Sequence, residues 1–315
     1  MDWRIKASLQ KVLSLSRIGD KLNHIPVTLN KNYHYNVVRY QHYECLRKFG
    51  YISLNLSSEK CVGLEIGTGY SLISPIILYL LGFNKVITVD IDKDANFKTF
   101  QKQVPFLLKE EFVKEIANIG IYTENEIKEK LNAICSCRNL DDILKFCNIR
   151  YIAPYSLNDI ENEVKYFDYI SSQVVFEHIP PEFLEQLFKK FKAWLKKGSY
   201  TVHTINFIDH YANHGIFEDK SISEFNFLRF SDSYWKFWSG NSIAYTNRLC
   251  YLYYQDLFEE NDIEILDFIG ENYRSKKELD LQKIHKDVLQ KYKSQPNLEE
   301  LVKYQRGTFI CKSRL

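Results

Sequence analysis

The 315-residue chain has little net charge of either sign, with 42 Lys and Arg against 40 Asp and Glu for a balance of +2. So weak a field holds no polyanion by counterion release alone, and a nucleic-acid partner is not expected. A long apolar run is also missing. The longest, Leu72 to Phe83, is interrupted by Ser74, Pro75 and Gly82 and falls short of the ~20 residues that cross a bilayer. The opening residues Met1-Asp2-Trp3-Arg4-Ile5-Lys6 show neither the apolar segment nor the cleavage site of a secretory signal, so cytoplasmic residence is expected. Seven cysteines form an odd, irregular set, which suits a reducing compartment and excludes a disulfide scaffold. Only Cys135 and Cys137 lie close together, and with no second pair they read as ordinary thiols. Twelve Gly and seven Pro are too few for a long flexible linker, and no repeat of fixed period is visible.

What is present is a core. At 45% hydrophobic, 15% aromatic and 26% charged residues, the composition is that of a globular protein. Residues 1–50 carry helical apolar spacing at Ile5, Leu9, Val12 and Leu13, and again at Val37, Val38, Tyr40, Tyr43 and Leu46. They read as a helical extension capping the main domain, 51–315. Cys61 to Ile66 reads as a strand, Gly67-Thr68-Gly69 as a turn, Ser71 to Leu81 as a helix and Lys85 to Asp90 as a second strand. That alternation is the mark of a βαβ unit, whose parallel strands need a crossover. Residues 100–147 form a charged helical insertion before a third strand at Ile149 to Ala153. A fourth strand, Tyr166 to Ser171, leads to a helix from Pro181 to Lys197 that closes at Gly198. A fifth strand follows at Tyr200 to Asn206, and residues 207–247, without sustained period, read as a lid-like insertion. The remainder predicts a helix at Tyr254 to Glu260, a strand at Ile263 to Phe268, a helical stretch at Lys276 to Tyr304 and a last strand at Thr308 to Lys312. The expected fold is therefore α/β, a Rossmann-like sheet of seven mostly parallel strands with the last antiparallel and at an edge.

The chemistry concentrates at Leu64-Glu65-Ile66-Gly67-Thr68-Gly69-Tyr70-Ser71, where two glycines after a buried strand let backbone approach a ligand closely. A dinucleotide fingerprint requires Gly or Ala at position 72, where this chain has Leu, and has no need of an acid at Glu65, so a nicotinamide cofactor is disfavoured. The Glu-x-Gly-x-Gly turn resembles the first motif of class I S-adenosylmethionine-dependent methyltransferases. The stretch Phe167-Asp168-Tyr169-Ile170-Ser171-Ser172-Gln173-Val174-Val175-Phe176-Glu177-His178-Ile179 is similar to the one that ends the fourth strand in that superfamily. Thr204 to Tyr211, Ser221 to Ser231 and Tyr245 to Leu249 also resemble a bacterial subgroup with an insertion after the fifth strand. The likeness covers roughly residues 50 to 270 on this reading of boundaries.

The resemblance implies S-adenosylmethionine as cofactor, held by Glu65, Gly67, Thr68, Gly69, Asp90, Ile91, Tyr155, Ser156 and Gln173, with Asp90 accepting from the ribose hydroxyls. The chain departs from the pattern at Tyr151 to Ser156, where no acid awaits the adenine amino group. Packing on Ile91 or Tyr155, with a hydrogen bond from Ser156 or backbone, then holds the base. The implied reaction is in-line methyl transfer to oxygen or nitrogen of a small-molecule or glycan-precursor acceptor. His210, flanked by Asp209, leads as general base because an imidazole titrates nearest neutrality, and His178 is second. Arg229 and Arg248 are candidates to grip an anionic acceptor. His210 and His214 stand four apart, but without the internal Glu of a hydrolytic zinc motif, and no metal is expected. No Asn/Asp-Pro-Pro-aromatic or Pro-Cys motif of base methylation is present. The competing reading is a non-catalytic partner protein that keeps the fold as a scaffold.

Overall fold

The computed structural model describes residues 1–15, 19, 31–56, 60–212, 218–274 and 276–314. Two helices, α1 (Trp3–Leu13) and α2 (Tyr33–Gly50), precede the sheet. Strand β1 (Val62–Ile66), helix α3 (Ile73–Leu81) and strand β2 (Lys85–Val89) make the first crossover. Helix α3 is apolar almost all round and buried accordingly, ending where Gly82 takes a left-handed conformation at its C-cap. Helices α4 (Phe97–Gln103), α5 (Glu110–Ile119), α6 (Glu124–Cys135) and α7 (Leu140–Phe146) fill the stretch before β3 (Ile149–Ile152). Thr123 and Glu126 form a reciprocal capping box at the start of α6. Then come α8 (Leu157–Glu161), β4 (Phe167–Gln173), α9 (Pro181–Trp194) and β5 (Leu195–Asn206). The chain closes with α10 (Asp232–Ser239), α11 (Tyr251–Glu260), β6 (Ile263–Glu271), α12 (Lys286–Leu289), α13 (Leu298–Leu301) and β7 (Arg306–Ser313).

The sheet runs β3-β2-β1-β4-β5-β7-β6. Six strands are parallel, and β7 alone runs antiparallel, paired with β5 on one side and β6 on the other. The last strand is therefore antiparallel as expected but interior, not an edge. Its run from Gly307 to Cys311 is buried throughout, whereas the true edge strand β6 exposes Glu264, Leu266 and Asp267, the charged face that discourages further pairing. Each face of the sheet carries its own core. Leu64 and Ile66 of β1 pack with α9 and α11, while α2, α3, α5 and α6 form the second layer on the opposite face with Val86 and Val202.

Three expectations need correction. Helix α9 stops at Trp194, and Gly198 is not its cap. Gly198 lies inside β5 with φ +79°, where the register against β4 jumps between Phe167 and Tyr169, so the glycine serves an irregular strand entry. Residues 207–247 contain a regular helix, α10, whose N-cap Ser231 accepts from the Tyr234 amide. Its aromatic density masked the helical spacing. Lys276 to Tyr304 is not one helix, because the backbone turns extended at Ile284, His285 and Asn297 and leaves only the short α12 and α13.

Helix α1 is fastened to the insertion, not to the sheet. Trp3 is buried against the rings of Tyr211, Phe230, Trp235 and Trp238, with centroids 5.5 to 5.8 Å away. Its amide donates to Asp219 at 2.8 Å. Among the described residues no helix is long and apolar enough to cross a membrane.

Candidate functional site

The carboxyl ends of β1, β2, β4 and β5 lie side by side, since Ile66 pairs with Val89 and Ser172, and Gln173 pairs with Thr204. In open α/β sheets that rim is where ligands bind. The amides of Gly67 and Thr68 both donate to the Val89 carbonyl, at 2.9 and 3.2 Å, bending the chain sharply off β1. Gly67 has φ +87°, and a Cβ there would meet Val175 Cγ2 at 2.2 Å, so no other residue fits. At Gly69 the same construction meets no atom within 4 Å, which leaves an open approach to backbone.

Asp90 turns towards this opening. One carboxylate oxygen accepts from the Gly69 amide at 2.6 Å and the other from the Ile91 amide at 2.7 Å. Burial raises its pKa, and hydrogen bonds from the Gly69, Ile91 and Asp92 amides oppose the rise. A carboxylate has about four lone-pair sites, so room for a hydroxyl donor remains. Thr68 is tied to β2 through Thr88, Oγ1 to Oγ1 at 2.7 Å. Glu65 points to the α2–α3 face, where burial pushes its carboxyl up to about 7 against the pull of Lys48 and Ser74. Gln173 ends β4 and donates to the Tyr40 hydroxyl of α2 at 2.8 Å. Ile91 is 71% exposed at the rim, and the half-buried Tyr155 donates its amide to the Asp90 carbonyl at 3.2 Å. Ser156 is engaged elsewhere. It caps α8 in a capping box with Asp159, so its hydroxyl is committed to that helix.

A second group gathers beyond β4 and β5. Val174 adopts φ +49°, a strained value for a β-branched residue and a common accompaniment of functional turns. After it, Phe176 to His178 form a single helical turn. His210 enters from the end of β5, its ring 5.0 Å from that of His178. Glu177, His178 and His210 place a carboxylate oxygen and two imidazole nitrogens all within 4.8 Å of one another. Burial pushes the Glu177 carboxyl up to about 8, with the Glu177 and Asn206 amides and the Asn206 side chain opposing. Burial likewise lowers His210 to about 3, helped by the neighbouring His178 and Lys6. His178 keeps an edge in solvent, and its Nδ1 lies 2.9 Å from the Tyr245 carbonyl. That contact requires a proton on Nδ1 and leaves Nε2 with its lone pair.

Several residues singled out from sequence are occupied structurally. Asp209 is buried beneath His210, accepting from the Tyr211 amide at 2.8 Å and the Asn226 side chain at 3.4 Å, so it closes the loop after β5. Arg248 is 2% exposed. Its guanidinium donates to the Phe227 and Phe230 carbonyls and pairs with Asp232, which makes it a clamp within the insertion. Arg229 is exposed and lies by Asn226 and Phe230. Asn213, His214 and Gly215 lie outside the described residues.

Two residues escaped selection. Glu177 stood in the quoted motif but lacked an evident partner in sequence. Asn247 donates to the Phe176 and Ile179 carbonyls at 2.7 and 2.9 Å, and its amide donates to the Glu177 carbonyl at 2.8 Å. It therefore fixes the turn that carries Glu177 and His178 from 70 positions away. Only the fold makes that link.

The strand order with antiparallel β7, the glycine turn after β1 and the carboxylate after β2 are the features that the sequence resemblance to class I S-adenosylmethionine-dependent methyltransferases leads one to expect. Similar solved structures include an S-adenosylmethionine-dependent methyltransferase from Mesorhizobium loti (11% identity, 86% of this chain and 97% of that one, TM-score 0.41). The geranyl diphosphate C-methyltransferase of Streptomyces coelicolor A3(2) is 11% identical over 91% of this chain and 85% of that one, TM-score 0.42. Phosphoethanolamine N-methyltransferase 2 of Haemonchus contortus is 14% identical over 87% of this chain and 52% of that one, TM-score 0.42. No family model and no curated protein matches the chain.

Proposed function

We propose that this protein transfers a methyl group from S-adenosylmethionine to oxygen or nitrogen of a small-molecule or glycan-precursor acceptor in the cytoplasm. The observation that carries the reading is the Asp90 carboxylate set against the Gly67–Gly69 turn, with open space over Gly69. The residues fit the cofactor: Asp90 receives the ribose hydroxyls, Ile91 and Tyr155 flank the adenine, and Gly67 to Gly69 border the amino-acid end. Bound there, the cofactor supplies an activated methyl group together with its own leaving group.

The chain must then align the nucleophile and take its proton. His178 is positioned for this, because its Nδ1–H is spent on the Tyr245 carbonyl and Nε2 is free to accept. His210, held low in pKa by burial, supplies a neutral imidazole beside it. Asp209 holds the His210 backbone in place instead of sharing a proton with it. Arg229 at the insertion surface serves an anionic acceptor group, whereas Arg248 is buried and clamped to the Phe227 and Phe230 carbonyls and Asp232. Calorimetric titration of the folded protein with S-adenosylmethionine and S-adenosylhomocysteine tests the reading. Saturable one-to-one binding that Asp90→Ala weakens supports it, and absence of heat with both ligands ends it.

A further inference from the structure

The three ligand-type side chains beyond β4 and β5 come from two separate strand ends, and one ligand-type atom of each lies within 4.8 Å of the other two. Neither buried carboxylate oxygen of Glu177 makes a well-formed hydrogen bond among the described residues, although the Asn206 amide and side chain lie close enough to act on it, and Nε2 of His210 is buried without a partner. Buried polar atoms are rarely left so, and three in one place ask for a ligand. We infer that Glu177, His178 and His210 form a binding site for one divalent transition-metal ion, of which Zn²⁺ is the reference case.

The donor set decides the class of ion. Two imidazoles and a carboxylate suit Zn²⁺ or Fe²⁺ and disfavour Mg²⁺ or Ca²⁺, which prefer all-oxygen cages. Metal–nitrogen and metal–oxygen bonds of about 2.1 Å put tetrahedral ligand atoms ~3.4 Å apart. The observed spread of up to 4.8 Å closes by side-chain rotation. The surrounding contacts are those that orient ligands. The Nδ1–H of His178 donates to the Tyr245 carbonyl at 2.9 Å, fixing the tautomer that offers Nε2. Asn247 pins the Glu177–His178 turn through the Glu177, Phe176 and Ile179 carbonyls. Lys6 Nζ donates to the His210 carbonyl at 3.3 Å, and the Asp209 amide to the Glu224 carbonyl at 2.7 Å, holding the third ligand's backbone.

Three protein ligands leave an open coordination position, as in catalytic and not structural zinc sites. A hydroxyl bound there would ionise more readily than in water. With the ion in place the imidazoles act as ligands and no longer as bases. The site stands on its own residues and does not depend on the methyl-transfer reading.

The test is a titration of chelator-treated full-length protein with Co²⁺, followed by visible d–d absorption, with Zn²⁺ competition and elemental analysis of the purified protein. One equivalent of Co²⁺ with bands of low coordination number, displaced by Zn²⁺, is expected. His178→Ala should weaken binding by about 100-fold or more, since even outer-shell contacts change metal affinity by about 10- to 100-fold. His178 is partly exposed, so this variant tests the ligand without emptying the core, and thermal melting together with retained S-adenosylhomocysteine affinity verifies its fold. Substoichiometric or unsaturable Co²⁺ uptake overturns the inference, as does equal affinity in a folded His178→Ala protein. Loss of cofactor binding with the metal retained would sink the methyl-transfer reading alone.

Discussion

The two halves of the rim are built in opposite ways. The proposed donor half joins the turn after β1 to the tip of β2, with Asp90 25 positions after Glu65, and works mostly through backbone. The proposed acceptor half draws on residues 177–178, 210 and 245–247, and would work through side chains whose positions depend on one another. A common cofactor needs a fixed cradle, which a short βαβ unit supplies by itself. An acceptor that differs between enzymes needs groups that loops can re-aim.

The comparison breaks most sharply at Gly67. Gly67→Ala forces a Cβ into Val175 at a positive φ, and should cost about 3 to 4 kcal/mol of stability together with cofactor binding. Urea denaturation and calorimetry measure the two effects. A control outside both halves is His42 of α2, buried, with Nε2 3.2 Å from the Phe112 carbonyl and its pKa lowered to about 4 by burial. Between the unfolded value near 6.5 and about 4, the unfolded chain takes up a proton that the folded one refuses. Stability is therefore full above about 6.5 and should fall by about 3 kcal/mol on acidification through that window. His42→Gln should flatten this part of the pH profile.

Asn247→Ala sharpens the contrast. It should cost about 2 kcal/mol by leaving buried carbonyls unpaired, and lower kcat while S-adenosylhomocysteine affinity stays within about twofold. Asp90→Ala should do the reverse, losing roughly 30-fold in cofactor affinity, about 2 kcal/mol, for two charge-assisted hydrogen bonds. Isothermal calorimetry of the two variants side by side decides whether the halves are separable. Arg229→Ala, at an exposed position, should change stability by less than about 0.5 kcal/mol. A raised acceptor KM with unchanged kcat would assign it to binding.

The turn and the carboxylate of the proposed donor half were legible in sequence because each signal is local. Glycines at 67 and 69 report the turn directly, and Asp90 follows the short β-branched strand Val86-Ile87-Thr88-Val89. Ser156 misled for the same reason, since a serine three residues before Asp159 is equally a capping box, and the helix claimed it. Arg248 looked like an anion grip because burial is not visible in a loop of mixed composition. The acceptor half was only half legible: His178 and His210 stood out by type, but Glu177 needed a partner 33 positions on, and Asn247 needed the chain to return from the insertion.

The order of apolar runs, the glycine turn and the length of the insertions were determined by the sequence, because hydrophobic period and backbone sterics act over a few residues. Which strand became the edge, which cations became clamps and which side chains converged beyond β4 and β5 were decided by tertiary structure. Burial and hydrogen-bond satisfaction are properties of the whole packed chain, and they assign a residue's role only when its distant neighbours have arrived.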